Sequence, residues 1–221
     1  IYIPSGKYLI SSSLTLPSYT FLVGEQMQTT ILSWNGASNL PVINITAGTS
    51  SITYNCEVSN ININKNGAVA PIGIKLANTS EMQFNNIWLV NCTDGFIFDN
   101  AAITNMNHIV ASNCTRAFTF DKTSNVLLNS NSFFTLDQAN IYNCSEAIFK
   151  IKSGIVTNLQ INNSWFEWFK AVFYVYPGGT YPPEWNGISV NNCYFSDDAG
   201  SGFTNTQLLS VTANATTDSQ T

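Results

Sequence analysis

The sequence predicts an all-β solenoid, a parallel β-helix with coils of about 22 to 30 residues, on three observations. Asparagine-cysteine segments recur at a regular spacing, apolar and polar residues alternate over short runs, and asparagine is in marked excess. The repeats are MQFNNIWLVNCTDGFIF from Met82, NMNHIVASNCTRAFTF from Asn105 and TLDQANIYNCSEAIF from Thr135. Each holds Asn-Cys, two polar residues, a Gly or Ala and an apolar run, at a period in the range where repeats mean solenoids.

Residue types choose the kind of solenoid. Asn, Ser, Thr, Gly and β-branched residues disfavour helix. Alternation such as Ile61-Asn62-Ile63 or Ile87-Trp88-Leu89 is the period of a strand with one buried face. Strands and polar corners repeating every 22 to 30 residues describe coils stacked about 4.8 Å apart. Like residues then form columns, whose amides can bond up and down. The 29 asparagines are thereby structural. One corner column is expected to hold Asn60, Asn86, His108, Gln138, Asn162 and Asn192. A second holds Asn91, Asn113 and Asn143, preceded by Lys65 and continued by Glu167 and Asp197. Cys92, Cys114 and Cys144 follow it by one residue, as buried free thiols.

Composition narrows the function. With 44% apolar, 13% aromatic and 10% charged residues, the chain is globular rather than disordered. A net charge of −5 with a single arginine argues against a nucleic-acid footprint. No apolar run reaches the roughly 20 residues of a membrane-spanning helix. The five cysteines have no metal-ligand spacing, and no cofactor motif is present. Asn-x-Ser/Thr triplets such as Asn78-Thr79-Ser80 follow from composition alone.

The opening Ile3-Pro4-Ser5-Gly6-Lys7-Tyr8, followed by Val23-Gly24-Glu25 and Thr30-Ile31-Leu32, resembles the entry coils of pectate-lyase-like right-handed parallel β-helix proteins. The asparagine-rich, low-charge coils are most similar to bacteriophage tailspikes and capsule depolymerases. The resemblance implies a β-helix over 1–211 and a fragment, because family members place a capping helix ahead of the first strand; the residues over 212–221 are polar, lack strand periodicity and read as a frayed tail or the start of a linker. It also implies a homotrimer on the virion tail, or a secreted relative, that recognises and cleaves bacterial capsular or O-antigen polysaccharide. Fold alone does not fix the chemistry. A non-catalytic adhesin or shaft and a polysaccharide lyase stand as the alternatives.

Candidate residues follow from the expected stacking. Glu167 among aromatics, one coil from Asp197 and Asp198, is the expected general acid and its partner. Carboxylate pairs about 5 to 10 Å apart serve glycoside hydrolysis. Outward positions place Trp88, Tyr142, Phe166 and Tyr194 on a sugar-stacking strip, while the loop 176–187 adds Tyr181, Trp185 and a further carboxylate, Glu184. Asp99 and Asp121 end successive strands, with Lys152 next in their column. They read first as turn openers and next as a catalytic or weak cation pair. Asp94, Arg116, Glu146 and Lys170 read as an ion-pair ladder, and His108 as a substitute for a corner amide.

Overall fold

The computed structural model describes residues 1–37, 39–46, 48, 51–67, 69–123, 131–176 and 181–196, and the backbone of 207–211. It is a parallel β-solenoid of about seven turns with no helix among the described residues. Every strand pairing is parallel, and each strand pairs with its equivalent in the coils before and after. Right-handed winding is the rule for such parallel crossovers.

Three sides build each coil. On the first, the column Tyr2, Val23, Ser59, Asn85, Asn107, Asp137, Asn162 and Asn191 runs the length of the solenoid. On the second, Tyr8, Leu32, Ile63, Leu89, Ala111, Ile141, Phe166 and Phe195 form an inward column. On the third, Leu14, Ile43, Ile74, Phe96, Phe118, Phe149 and Phe173 do the same.

Alternation explains the core. The phenylalanines of the third side stack in sequence, with Phe96–Phe118 at 5.7 Å, Phe118–Phe149 at 5.1 Å and Phe149–Phe173 at 5.3 Å between ring centroids. Each such pair adds about 0.5–1.5 kcal/mol beyond area burial. The Gly or Ala of the repeats has a steric cause. A Cβ on Gly73 would lie 2.5 Å from the Gly95 carbonyl oxygen, and one on Gly95 2.6 Å from that of Ala117.

Corners are made by single left-handed residues, a conformation Asn tolerates better than other side chains. Asn60, Asn86, His108, Gln138, Asn163 and Asn192 all have positive φ between the first and second sides. Asn86 donates to Asn60 at 2.8 Å, His108 Nδ1 meets Asn86 Oδ1 at 2.7 Å, and Asn192 donates to Asn163 at 2.7 Å. The ladder position is therefore Asn163 and not Asn162, because Asn162 is still in the strand, opposite Asp137 and Asn191.

The second ladder runs through Asn91, Asn113 and Asn143, and Asn143 donates its side-chain amide to Asn113. Its next member is Trp168, at φ 52°, and not Glu167, which lies opposite Tyr142 within a strand. Cys92, Cys114 and Cys144 are buried free thiols beside the ladder. A hydrogen bond with Cys114 and burial raise the Cys92 thiol well above its usual range, and burial does the same for Cys144.

Candidate functional site

The corner between the first and second sides is short in every described coil from Asn60 onward, with a longer excursion from Gly24 to Thr30 near the start, and the other two corners vary more in length. Lys65 to Ile72, Asp121 to Asn131 and Val175 to Glu184 are their longer excursions. Both variable corners border the third side, so its outer face is where loops can build a concave site on a rigid sheet.

That face gathers charge in a charge-poor chain. Of the eight basic residues, Lys75, Arg116, Lys150 and Lys152 lie there, with Asp94, Asp99, Asp121 and Glu146. Strand register places Lys75, Ile97, Thr119, Lys150 and Tyr174 in one outward column. A cleft of about 190 Å³ is lined by Asp94, Ile97, Arg116, Thr119, Asp121, Lys150 and Lys152.

Arg116 binds Asp94 with two prongs, Nη2 to Oδ2 being 2.8 Å, and also donates to Glu146. Lys150 donates to the other Glu146 oxygen at 2.6 Å and lies 5.3 and 4.9 Å from the rings of Tyr174 and Tyr176. Burial works against the Arg116 charge, but Asp94 and then Glu146 outweigh it and raise the guanidinium above its ordinary value. Partial burial pushes Glu146 up, yet Lys150 and Arg116 together hold its carboxyl below the usual range. The expected ladder is thus an interlocked network. Its strict register does not hold, because Ala147 rather than Glu146 stands opposite Arg116.

Asp99 and Asp121 are paired in register one coil apart, as the sequence suggested. Asp99 accepts from the Thr123 backbone N–H at 2.9 Å and hydroxyl at 2.7 Å, with Lys75 at 3.7 Å. Asp121 accepts from the Lys122 N–H at 2.9 Å and from Lys152 at 2.7 Å. Lys152 is half exposed, whereas Asp121 is buried and lines the cleft. No group of three or more metal-ligating side chains occurs among the described residues.

The outward face of the second side carries an aromatic strip. Trp88, Val110, Asn140, Trp165 and Tyr194 share one column, and Trp165 meets Tyr194 at 4.3 Å between centroids. Both rings are about half exposed. A polar hollow beside them is lined by Asn163, Ser164, Asn192 and Cys193. Glu167 faces outward in the adjacent column, between Tyr142 and Ser196.

Two expected sugar contacts are corrected. Phe166 is fully buried, stacked on Phe195, because it shares parity with the inward Ile141. Trp165, one residue earlier, takes its place on the strip. Trp185 is partly buried, packing edge-on against Phe120 and Phe173 of the core, both at 5.6 Å, so most of its ring is turned inward. Strand parity is the signal that separates Trp165 from Phe166. Tyr181 lies under Lys122 at 4.7 Å, and Glu184 starts a first-side strand opposite Ile155, on a different side from Glu167. Asp197, Asp198, loop residues 177–180 and the tail over 212–221 lie outside the described residues.

No protein-family model matches the chain, and no curated protein is similar to it. Solved structures with a similar fold include ORF18 of Geobacillus virus E2, at 14% identity and TM-score 0.49, covering 89% of this chain and 53% of that one. The chain spans about half the length of that viral protein. The A-module of mannuronan C-5 epimerase AlgE6 from Azotobacter vinelandii is similar at 9% identity and TM-score 0.45, over 96% of this chain and 90% of that one. Endo-xylogalacturonan hydrolase from Aspergillus tubingensis is similar at 10% identity and TM-score 0.33, over 97% and 91%.

Proposed function

We propose that the protein binds a bacterial surface polysaccharide and cleaves its glycosidic bonds in the cleft of the third side, as a tailspike-like depolymerase assembled as a homotrimer. The observation that carries this reading is the cleft between the two variable corners, where Asp121 faces ligand space beside Arg116, Lys150 and Lys152. Asp121 serves as the proton-transferring carboxylate. Asp99, opposite Asp121 one coil away, supplies the second carboxylate. The Trp165–Tyr194 strip is an accessory face on which sugar rings stack through their apolar C–H surfaces.

This reading moves the chemistry from Glu167 to Asp121. Glu167 sits on an open strand face, whereas catalysis draws on a concave surface that excludes water. Release of reducing ends from capsule or O-antigen preparations tests it: Asp121→Asn is expected to lose about 100-fold or more, with Glu167→Gln close to the parent. Absorbance from an unsaturated uronate in the products identifies elimination rather than hydrolysis.

A second reading, binding without cleavage, is favoured by the pairing in the cleft. Asp94 is bound by Arg116, Glu146 by Lys150 and Asp121 by Lys152, an arrangement that also serves a purely structural ion network. Binding with no new reducing ends selects it.

A further inference from the structure

The corner from the third to the first side is left-handed in every described coil, through Tyr19, Asn55, Glu81, Ile103, Phe133, Asn158 and Gly187. Asn and Gly suit such a backbone. Ile103 at φ 48° and Phe133 at φ 58° do not, because a β-branched or bulky side chain at positive φ is strained. Strand register on either side sets these two in the same place in successive coils. Neither gains burial in exchange, since Ile103 is 44% and Phe133 58% exposed. Strain kept at an exposed apolar pair points to a use at the surface.

The surroundings say what that use is. Beside the pair, the outward column Glu57, Gln83, Asn105, Thr135, Gln160 and Ser189 repeats one coil at a time. Gln83, Asn105 and Gln160 are exposed, in contrast to the corner amides, which bond to one another. The described outer face of this side holds no lysine or arginine and does hold Glu57, Glu81, Asp137 and Glu184. An acidic chain meets only repulsion there. Amides with both donors and acceptors match hydroxyl groups, and an exposed ring beside them matches a sugar's apolar face.

We infer that the first side is a second glycan-binding surface, centred on Ile103 and Phe133, that takes an uncharged polysaccharide running along the solenoid. The inference rests on the polysaccharide reading above and names the class of sugar for this face. It contrasts with the third side, whose cleft is lined by Arg116, Lys150 and Lys152.

The test uses the double variant Ile103→Asn/Phe133→Asn, which installs the residue found at Asn55 and Asn158. Its thermal midpoint should rise as strain is relieved, while affinity for neutral O-antigen polysaccharides on an array should fall about tenfold. Binding of acidic capsular polysaccharides on the same array should not change in the variant. Unchanged neutral-glycan binding, or a lowered thermal midpoint, overturns the inference. Trp165→Ala separates the two readings. Binding lost in that variant and kept in the double variant leaves the accessory strip standing and removes the first-side surface. A parent that binds no array polysaccharide removes both, and a parent whose double variant loses self-association instead assigns the pair to subunit contact and overturns the inference.

Discussion

Arg116 stands directly opposite Asp94 one coil away, and its guanidinium grips both carboxylate oxygens while a third prong reaches Glu146. Asp94 is buried and also accepts from the Thr119 hydroxyl. Removing the arginine strands a buried carboxylate, and such losses cost about 3–5 kcal/mol. Arg116→Ala should therefore unfold at markedly lower denaturant than the parent. The pair Asp94→Asn with Arg116→Met, which removes both charges, should recover part of the loss. Equal midpoints for parent and Arg116→Ala would show that the network holds nothing together.

Glu146 adds a pH dependence whose sign follows from its environment. Its folded carboxyl lies below the ordinary value of about 4.3, held there by Lys150 and Arg116 against the opposing effect of partial burial. The stability it contributes is present above that value and is lost as pH falls through the folded one. Thermal unfolding from pH 7 to pH 3 should show a gap between the parent and Glu146→Gln that closes below about pH 4. A gap that stays constant with pH would assign the difference to packing.

Buried thiols give a probe of the coil register. Cys56, Cys92, Cys114 and Cys144 are buried, and only Cys193 is partly open. A thiolate reagent should label at most Cys193 in the native protein and all five cysteines in denaturant. Rapid native labelling of Cys114 would contradict the stacked column.

The ladders can be tested at Asn143, whose amide bonds Asn113 and whose φ of 58° favours Asn. Asn143→Ala loses that bond and keeps a left-handed Cβ, costing about 1–3 kcal/mol. Trp168→Asn, at the same corner one coil on, should instead stabilise, because it replaces an aromatic at φ 52°. Thermal midpoints moving in opposite directions for the two variants are the expected result.

The repeats made the coil legible, because Asn at a left-handed corner and Cys one step inside it leave an imprint on the sequence at every turn. Register failed where the imprint broke. The third repeat is followed by a coil without Asn-Cys, so the spacing points to Glu167 while the corner itself falls on Trp168, a poor left-handed residue that carries no sequence signal there. The same slip put Phe166 outside, since one residue of shift exchanges the two faces of a strand. The cleft was only partly legible. Its members come from three coils, and nothing in a linear spacing shows that Asp94, Arg116, Asp121, Lys150 and Lys152 line one hollow. Asp99 and Asp121 were recognisable because each ends an apolar strand at the same place in the repeat.

The central claim is cleavage in the cleft of the third side, and its most direct measurement is reducing-end release from capsule and O-antigen preparations by the parent, Asp121→Asn and Glu167→Gln side by side, each variant first shown to keep the parent's thermal unfolding. The expected result is a rate lower by about 100-fold or more in Asp121→Asn and near-parental turnover in Glu167→Gln. Full activity in Asp121→Asn with loss in Glu167→Gln would return the chemistry to the second side and contradict it.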